Sequence, residues 1–269
     1  MLITRLITGL VLVVAVLGSV FFLPAWQTTA LFIAVLIPAS LEWAALAGLA
    51  GTPQRILYSF CVTALAVGAW RISLSGAALD LMLVLACGVW IAALLWIVSY
   101  QRNQGPRLDN CAVLLGLGAI VLVPAVVAIA SLLLRGPAAL LMLFGIVWGA
   151  DIFAYFGGRQ FGRSRLASHV SPGKSWAGVY SALLGTVIVG VAVNAWYYQA
   201  PVWLVVSLIG LTLVASVVGD LFESLLKRLR GRKDSGTLLP GHGGVLDRLD
   251  SLLAAAPIFT FCSRQMGYS

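Results

Sequence analysis

Asp220, Glu223, Ser224 and Lys227 fall at i, i+3, i+4 and i+7, and Asp247, Asp250 and Ser251 repeat the i, i+3, i+4 spacing further along the chain. On a helix each set shares one face, so two helices can each present an acidic pair. Oxygen-only ligands of this kind suit a hard cation such as Mg2+. The plainer alternative is a surface ion-pair network with Lys227 and Arg248. It accounts less well for two matched pairs flanking a glycine-rich loop, Pro240-Gly241-His242-Gly243-Gly244. Glycine lets the backbone approach a ligand closely there, and His242 could contact phosphate or protonate a leaving group. A structural role explains His242 equally well, and His169 has no comparable setting.

Two clusters lie upstream. Asp151 stands inside an apolar run, with Tyr155 on the same helical face and Gly157, Gly158 and Arg159 following. A carboxylate in lipid needs a cation, hydrogen-bond donors or a wet cavity; the simpler reading is an interhelical hydrogen bond. In Ser171-Pro172-Gly173-Lys174-Ser175-Trp176 a turn precedes a helix expected to start near Ser175 or Trp176. Backbone N–H groups, Lys174 and two hydroxyls could converge on a phosphate there, or form only a cap with an interfacial lysine. Gly173-Lys174-Ser175 is not a P-loop, because Ser168 stands where that motif needs its first glycine and no strand is expected before it. Few residues of the first half invite chemistry, and Glu42, inside the second apolar run, is the exception. It either touches the reacting cavity or bonds a neighbouring helix. Carboxylates for Mg2+ beside lysines and arginines for phosphate are what phosphoryl and nucleotidyl transfer require.

The elements that must carry these groups are membrane helices. The chain is 61% hydrophobic and only 10% charged over 269 residues, too few charges to solubilise a domain of that size. Runs long enough to cross a bilayer lie near 4–23, 28–50, 56–72, 79–99, 111–132, 138–157, 176–198 and 202–222, with a shorter, more polar ninth near 246–262. The ninth could cross or be re-entrant. The first is read as an uncleaved span. The expected fold is therefore all-α, a polytopic transmembrane bundle of eight or nine spans in one membrane domain. Residues 1–135 supply mainly apolar spans, and 136–269 carry the site. No strand alternation of a barrel is present. With the N-terminus in the cytoplasm, fourteen Lys and Arg (among them Arg5, Arg55, Arg102, Arg107 and those of loops 158–175 and 223–248) fall inside. Only Arg71, Arg135 and Arg264 fall outside, which orients the chain. The net charge of +8 is confined to loops, a pattern for lipid headgroups or phosphate ligands and not for nucleic acid. The four cysteines have no metal spacing and read as packing residues.

Ser224-x-x-Lys227-Arg228, Lys233-Asp-x-Gly236, Pro240-Gly-His-Gly-Gly244 and Asp247-Arg248-x-Asp250 closely resemble the pattern of the phosphatidate cytidylyltransferases, also called CDP-diacylglycerol synthases, without departure. The Asp151 to Arg159 and Ser171 to Trp176 segments look like that family too. The resemblance implies transfer from CTP to phosphatidate, giving CDP-diacylglycerol and pyrophosphate. It also implies Mg2+ with a second ion such as K+, and a multi-pass protein of the cytoplasmic (inner) membrane whose site faces the cytoplasm. Carried onto this chain, it implies Asp220 and Asp247 as metal ligands, supported by Glu223 and Asp250. Lys174, Lys227, Arg228 and Arg248 would hold phosphates. Ser171, Ser224, His242, Gly243, Gly244 and Asp151 would meet substrate. A homodimer is left open. Cytidylylation of an ether lipid or prenyl phosphate would use the same headgroup chemistry. A CDP-alcohol phosphotransferase lacks its spaced Asp-Gly and Ala-Arg pattern here. A transporter would show repeated halves with broken midplane helices, and this chain gathers its polar groups in one third.

Overall fold

The computed structural model describes residues 2–102 and 110–267; Arg107 and the side chain of Arg5 lie outside the described residues. The described chain forms nine helices: α1 (Leu2–Phe22), α2 (Ala25–Ala47), α3 (Thr52–Ser73), α4 (Ala77–Gln101), α5 (Cys111–Arg135), α6 (Pro137–Phe161), α7 (Trp176–Tyr197), α8 (Val202–Leu229) and α9 (Leu246–Gln265). Seven of them, α2 to α8, are long and apolar enough to cross a membrane. In α1 the described apolar stretch, Ile7–Phe22, is shorter. The described cysteines are free.

The expectation of an all-α chain needs one amendment. Between α6 and α7 the backbone forms an antiparallel hairpin, β1 (Arg165–Ala167) with β2 (Ser171–Ser175). The Ser-Pro-Gly-Lys-Ser segment is thus itself a strand, too short to announce itself by alternation. The two polar loops are also shorter than expected, since α6 runs on to Phe161 and α8 to Leu229. Several charged groups therefore sit on helix ends and not on loops.

The ninth segment is the structural axis. Twelve of the twenty residues of α9 are buried, and it packs against α2, α4, α5, α6 and α8. That enclosure explains how a helix with this many polar residues is tolerated: its neighbours, not lipid, cover it. It runs the length of the bundle. Its first turn meets the polar loop, and at its far end Arg264 pairs with Asp80 at the start of α4 while Arg135, ending α5, donates to Ser263. At about 1.5 Å per residue its length is roughly that of a hydrocarbon core, although its composition is too polar to place it among the seven apolar helices.

Two devices hold α8 against it. Phe222 points away from the polar stripe into Trp43, Trp90 and Trp96, with ring centroids 5.6 to 6.4 Å apart. Gly219 lies so close to the backbone carbonyl of Asp250 that any Cβ would collide with it. Turned this way, α8 presents Asp220, Glu223 and Lys227 to the first turn of α9. Trp43 Nε1 donates to the Leu114 carbonyl at 2.8 Å and the Tyr58 hydroxyl to that of Leu115 at 2.9 Å, tying α2 and α3 to α5. Small residues of α7, Gly178, Ala182 and Thr186, face α6, the close-packing solution of membrane helices.

Candidate active site

The polar residues gather at one end of the bundle into two adjoining centres, both built on α8. In the first, Lys174 on β2 forms an ion pair with Asp220, and Ser224 donates to Asp220 at 3.3 Å. The hairpin makes this possible, because it carries Lys174 back over the end of α8. Ser175 then caps α7, its hydroxyl accepting the Gly178 N–H at 3.2 Å. Lys174 and Ser175 line a cavity of about 370 Å³ together with Asp151, Tyr155 and Arg159 of α6, Ser216 of α8 and Ser251 of α9. Arg159 donates to the Tyr155 hydroxyl at 3.3 Å. Asp151 therefore opens onto this cavity and makes no interhelical hydrogen bond among the described residues; it lies within the fields of Lys174 and Arg248.

The second centre is more enclosed. Lys227 donates to Asp247 Oδ1 at 2.6 Å and lies 3.4 Å from Glu223 Oε1. Asp247 Oδ2 accepts the backbone N–H of Ser235 at 3.0 Å and of Gly244 at 2.8 Å. Lys227 and those two amides thus meet both oxygens of the buried Asp247 carboxylate. The glycine segment is a tight turn: Leu239 N–H donates to the Gly243 carbonyl at 2.9 Å and His242 N–H to the Leu239 carbonyl at 3.0 Å. Gly241 and Gly243 take φ of 76° and 82°, conformations that side-chain-bearing residues avoid. Arg248 braces the turn through the His242 carbonyl at 3.1 Å.

The centres are joined by Asp250, which feels the charge of both Asp220 and Glu223. Both oxygens of Glu223 are buried without a hydrogen bond, and among the described residues Lys227 is its ion-pair partner. No group of three or more His, Cys, Asp or Glu side chains converges as a preformed metal cage among the described residues. The carboxylates are held instead by ammonium groups, Lys174 on Asp220 and Lys227 on Asp247 and Glu223. A donor set of carboxylate oxygens whose charge is met by movable cations fits a hard divalent ion.

Not every expected residue enters these centres. Ser171 pairs with Ala167 at the start of β2 and does not line the cavity. Arg228 spends its guanidinium on the carbonyls of Val170 and Arg232, where it braces the hairpin. Ser216 was not anticipated, although it stands one turn before Asp220 on the same stripe. Arg159 and Tyr155 belong to the cavity wall, as their spacing from Asp151 allowed. Glu42 does not line the cavity; it bonds the polar loop and, through the Leu246 N–H, the first turn of the neighbouring helix α9.

Comparison with known proteins gives the same bearing. Residues 3–265 match the model of the cytidylyltransferase family. The chain is similar to a phosphatidate cytidylyltransferase of Pseudomonas aeruginosa, 43% identical over 262 residues that cover 95% of this chain and 94% of the relative. One of Haemophilus influenzae is 36% identical, with 96% of each chain covered. A third, of Synechocystis, is 47% identical over 120 residues, 44% of this chain and 40% of that one.

Proposed function

The chain belongs to the cytidylyltransferase family, and from that premise we propose that it converts CTP and phosphatidate to CDP-diacylglycerol and pyrophosphate, a step of phospholipid synthesis. The near full-length identity to a phosphatidate cytidylyltransferase carries this reading. The chemistry of the site supports it. A phosphatidate oxygen attacks the α-phosphorus of CTP, the bond to the bridging oxygen of the β-phosphate breaks, and pyrophosphate leaves with that electron pair. Such a step needs charge neutralisation and alignment more than a covalent protein group.

Lys174 and Lys227 are the cations best placed for the phosphates, with Arg159 and Arg248 at the margins. Asp220, Asp250 and Glu223, with Asp247 beside them, would hold Mg2+. When bound, the ion neutralises phosphate oxygens and fixes their geometry. Lys174 and Lys227, which pair with these carboxylates, would stand beside the phosphates and share in neutralising them. The lipid has a matching route. An apolar groove of about 530 Å³ runs along α6 and α7 below the cavity, lined by Leu141, Gly145, Phe153, Val189, Gly190 and Ile209 among others. Acyl chains would lie there while the headgroup reaches Lys174. The site end of the bundle carries the described cations of the Arg55, Arg102, Arg159 to Lys174 and Lys227 to Arg248 regions, so in this reading it faces the cytoplasm.

Purified protein in detergent, given CTP and phosphatidate, is expected to release pyrophosphate and form CDP-diacylglycerol, and chelation of divalent ions is expected to stop it. Absence of the lipid product under Mg2+ would sink the proposal; activity undiminished by chelator would remove the metal from it.

A further inference from the structure

The reaction as described leaves Glu42 unused. It sits near the end of α2, far in sequence from every motif, and does not line the cavity. Its Oε2 accepts the Ser235 hydroxyl and the Leu246 N–H, both at 2.9 Å, and its Oε1 accepts the Val245 N–H at 3.0 Å. Helix α9 has no cap from its own N-cap side chain, so Glu42 supplies one from another helix, with the charge sign that a helix N-terminus favours. Two glycines complete the seat: a Cβ on Gly236 or on Gly244 would collide with the Glu42 carboxylate.

Asp247 grips the same loop from the opposite side, through the amides of Ser235 and Gly244. Ser235 is therefore held by its hydroxyl from Glu42 and by its amide from Asp247. The spacing of Ser235, Gly236, Gly243 and Gly244 is what lets two carboxylates close on one loop. Asp247 can aim its other oxygen at Lys227 only while that loop stays in place.

We propose that Glu42 is a positioning residue for cytidylyl transfer, capping α9 and clamping Ser235 so that Asp247 and Lys227 are held in register with the reacting phosphates. This rests on the function proposed above, but its structural half can be read without turnover. The full chain in detergent is compared with Glu42→Ala, Glu42→Gln and Ser235→Ala by amide hydrogen exchange over 235–246 and by steady-state kinetics. Glu42→Ala is expected to lose protection over 235–246 while α2 and α8 keep theirs. Its kcat is expected to fall about 100-fold, the scale of a small misplacement of reacting groups, with KM for CTP and phosphatidate changed by less than about threefold. Glu42→Gln keeps an acceptor for Ser235 and Leu246 but turns a donor toward Val245, and is expected to lose about tenfold in kcat. Ser235→Ala is expected to lose less than Glu42→Ala. Unchanged exchange over 235–246, unchanged kcat, or a loss confined to KM overturns the proposal. Should Glu42→Ala fail to fold, full kcat in both Glu42→Gln and Ser235→Ala overturns it. A wild-type protein without turnover defeats the function instead, and exchange still decides whether Glu42 holds the loop.

Discussion

Asp220 and Asp247 have the same side chain and opposite circumstances. Asp220 pairs with the cavity-lining Lys174 and accepts one hydroxyl, while both oxygens of Asp247 are engaged by Lys227 and two backbone amides. Substitution should separate them. Asp220→Asn is expected to keep its melting temperature and lose about 100- to 1000-fold in kcat, the scale seen when one preorganised charge or donor is removed from a reacting centre. Asp247→Asn is expected to lose activity and also to show faster exchange in the glycine loop. Lys227 is a harder case, because its ammonium is buried against two acids. Replacing it by Met leaves both uncompensated, at a cost of about 3–5 kcal/mol. Thermal unfolding of Lys227→Met should reveal that loss, and addition of Asp247→Asn should restore part of it without restoring turnover. Equal melting temperatures for Lys227→Met and the wild type would contradict the buried ion pair.

At the scale of elements the critical contact is between α8 and α9, since it decides whether the two acidic pairs face one another. Gly219 is the narrowest point of that contact. Gly219→Val is expected to destabilise the bundle by about 1–3 kcal/mol through overpacking and to depress kcat more than substrate affinity. At the far end of α9 the Arg264–Asp80 pair is partly exposed. Arg264→Ala should cost no more than about 1 kcal/mol and leave kcat near that of the wild type. The contrast tests whether α9 acts through its first turn. A Gly219→Val protein as active as the wild type would show that the two helices need not be this close.

For the molecule as a whole, the arrangement of charge predicts its orientation. Single cysteines introduced at Gly231 and at Ser75 should label from opposite faces of sealed vesicles, the first from the cytoplasmic side. Labelling of both from one side would overturn the alternating topology. The sequence by itself determined that the chain crosses membrane, where most spans begin and end, and that the acids of 220–227 and 247–251 form two stripes. Apolar length and a period of 3.6 are local properties, legible without any partner. The resemblance of the 224–250 segment narrowed the chemistry further. Only the tertiary structure decided how those stripes divide the work: Lys174 on Asp220, Lys227 on Asp247, Arg228 on a hairpin, and Ser171 outside the cavity. It alone brought in Ser216, made α9 an enclosed axis, and showed Glu42 reaching across the chain to the polar loop. A side chain's partner is fixed by close packing among distant segments, and sequence spacing carries no record of a neighbour that lies about two hundred residues away.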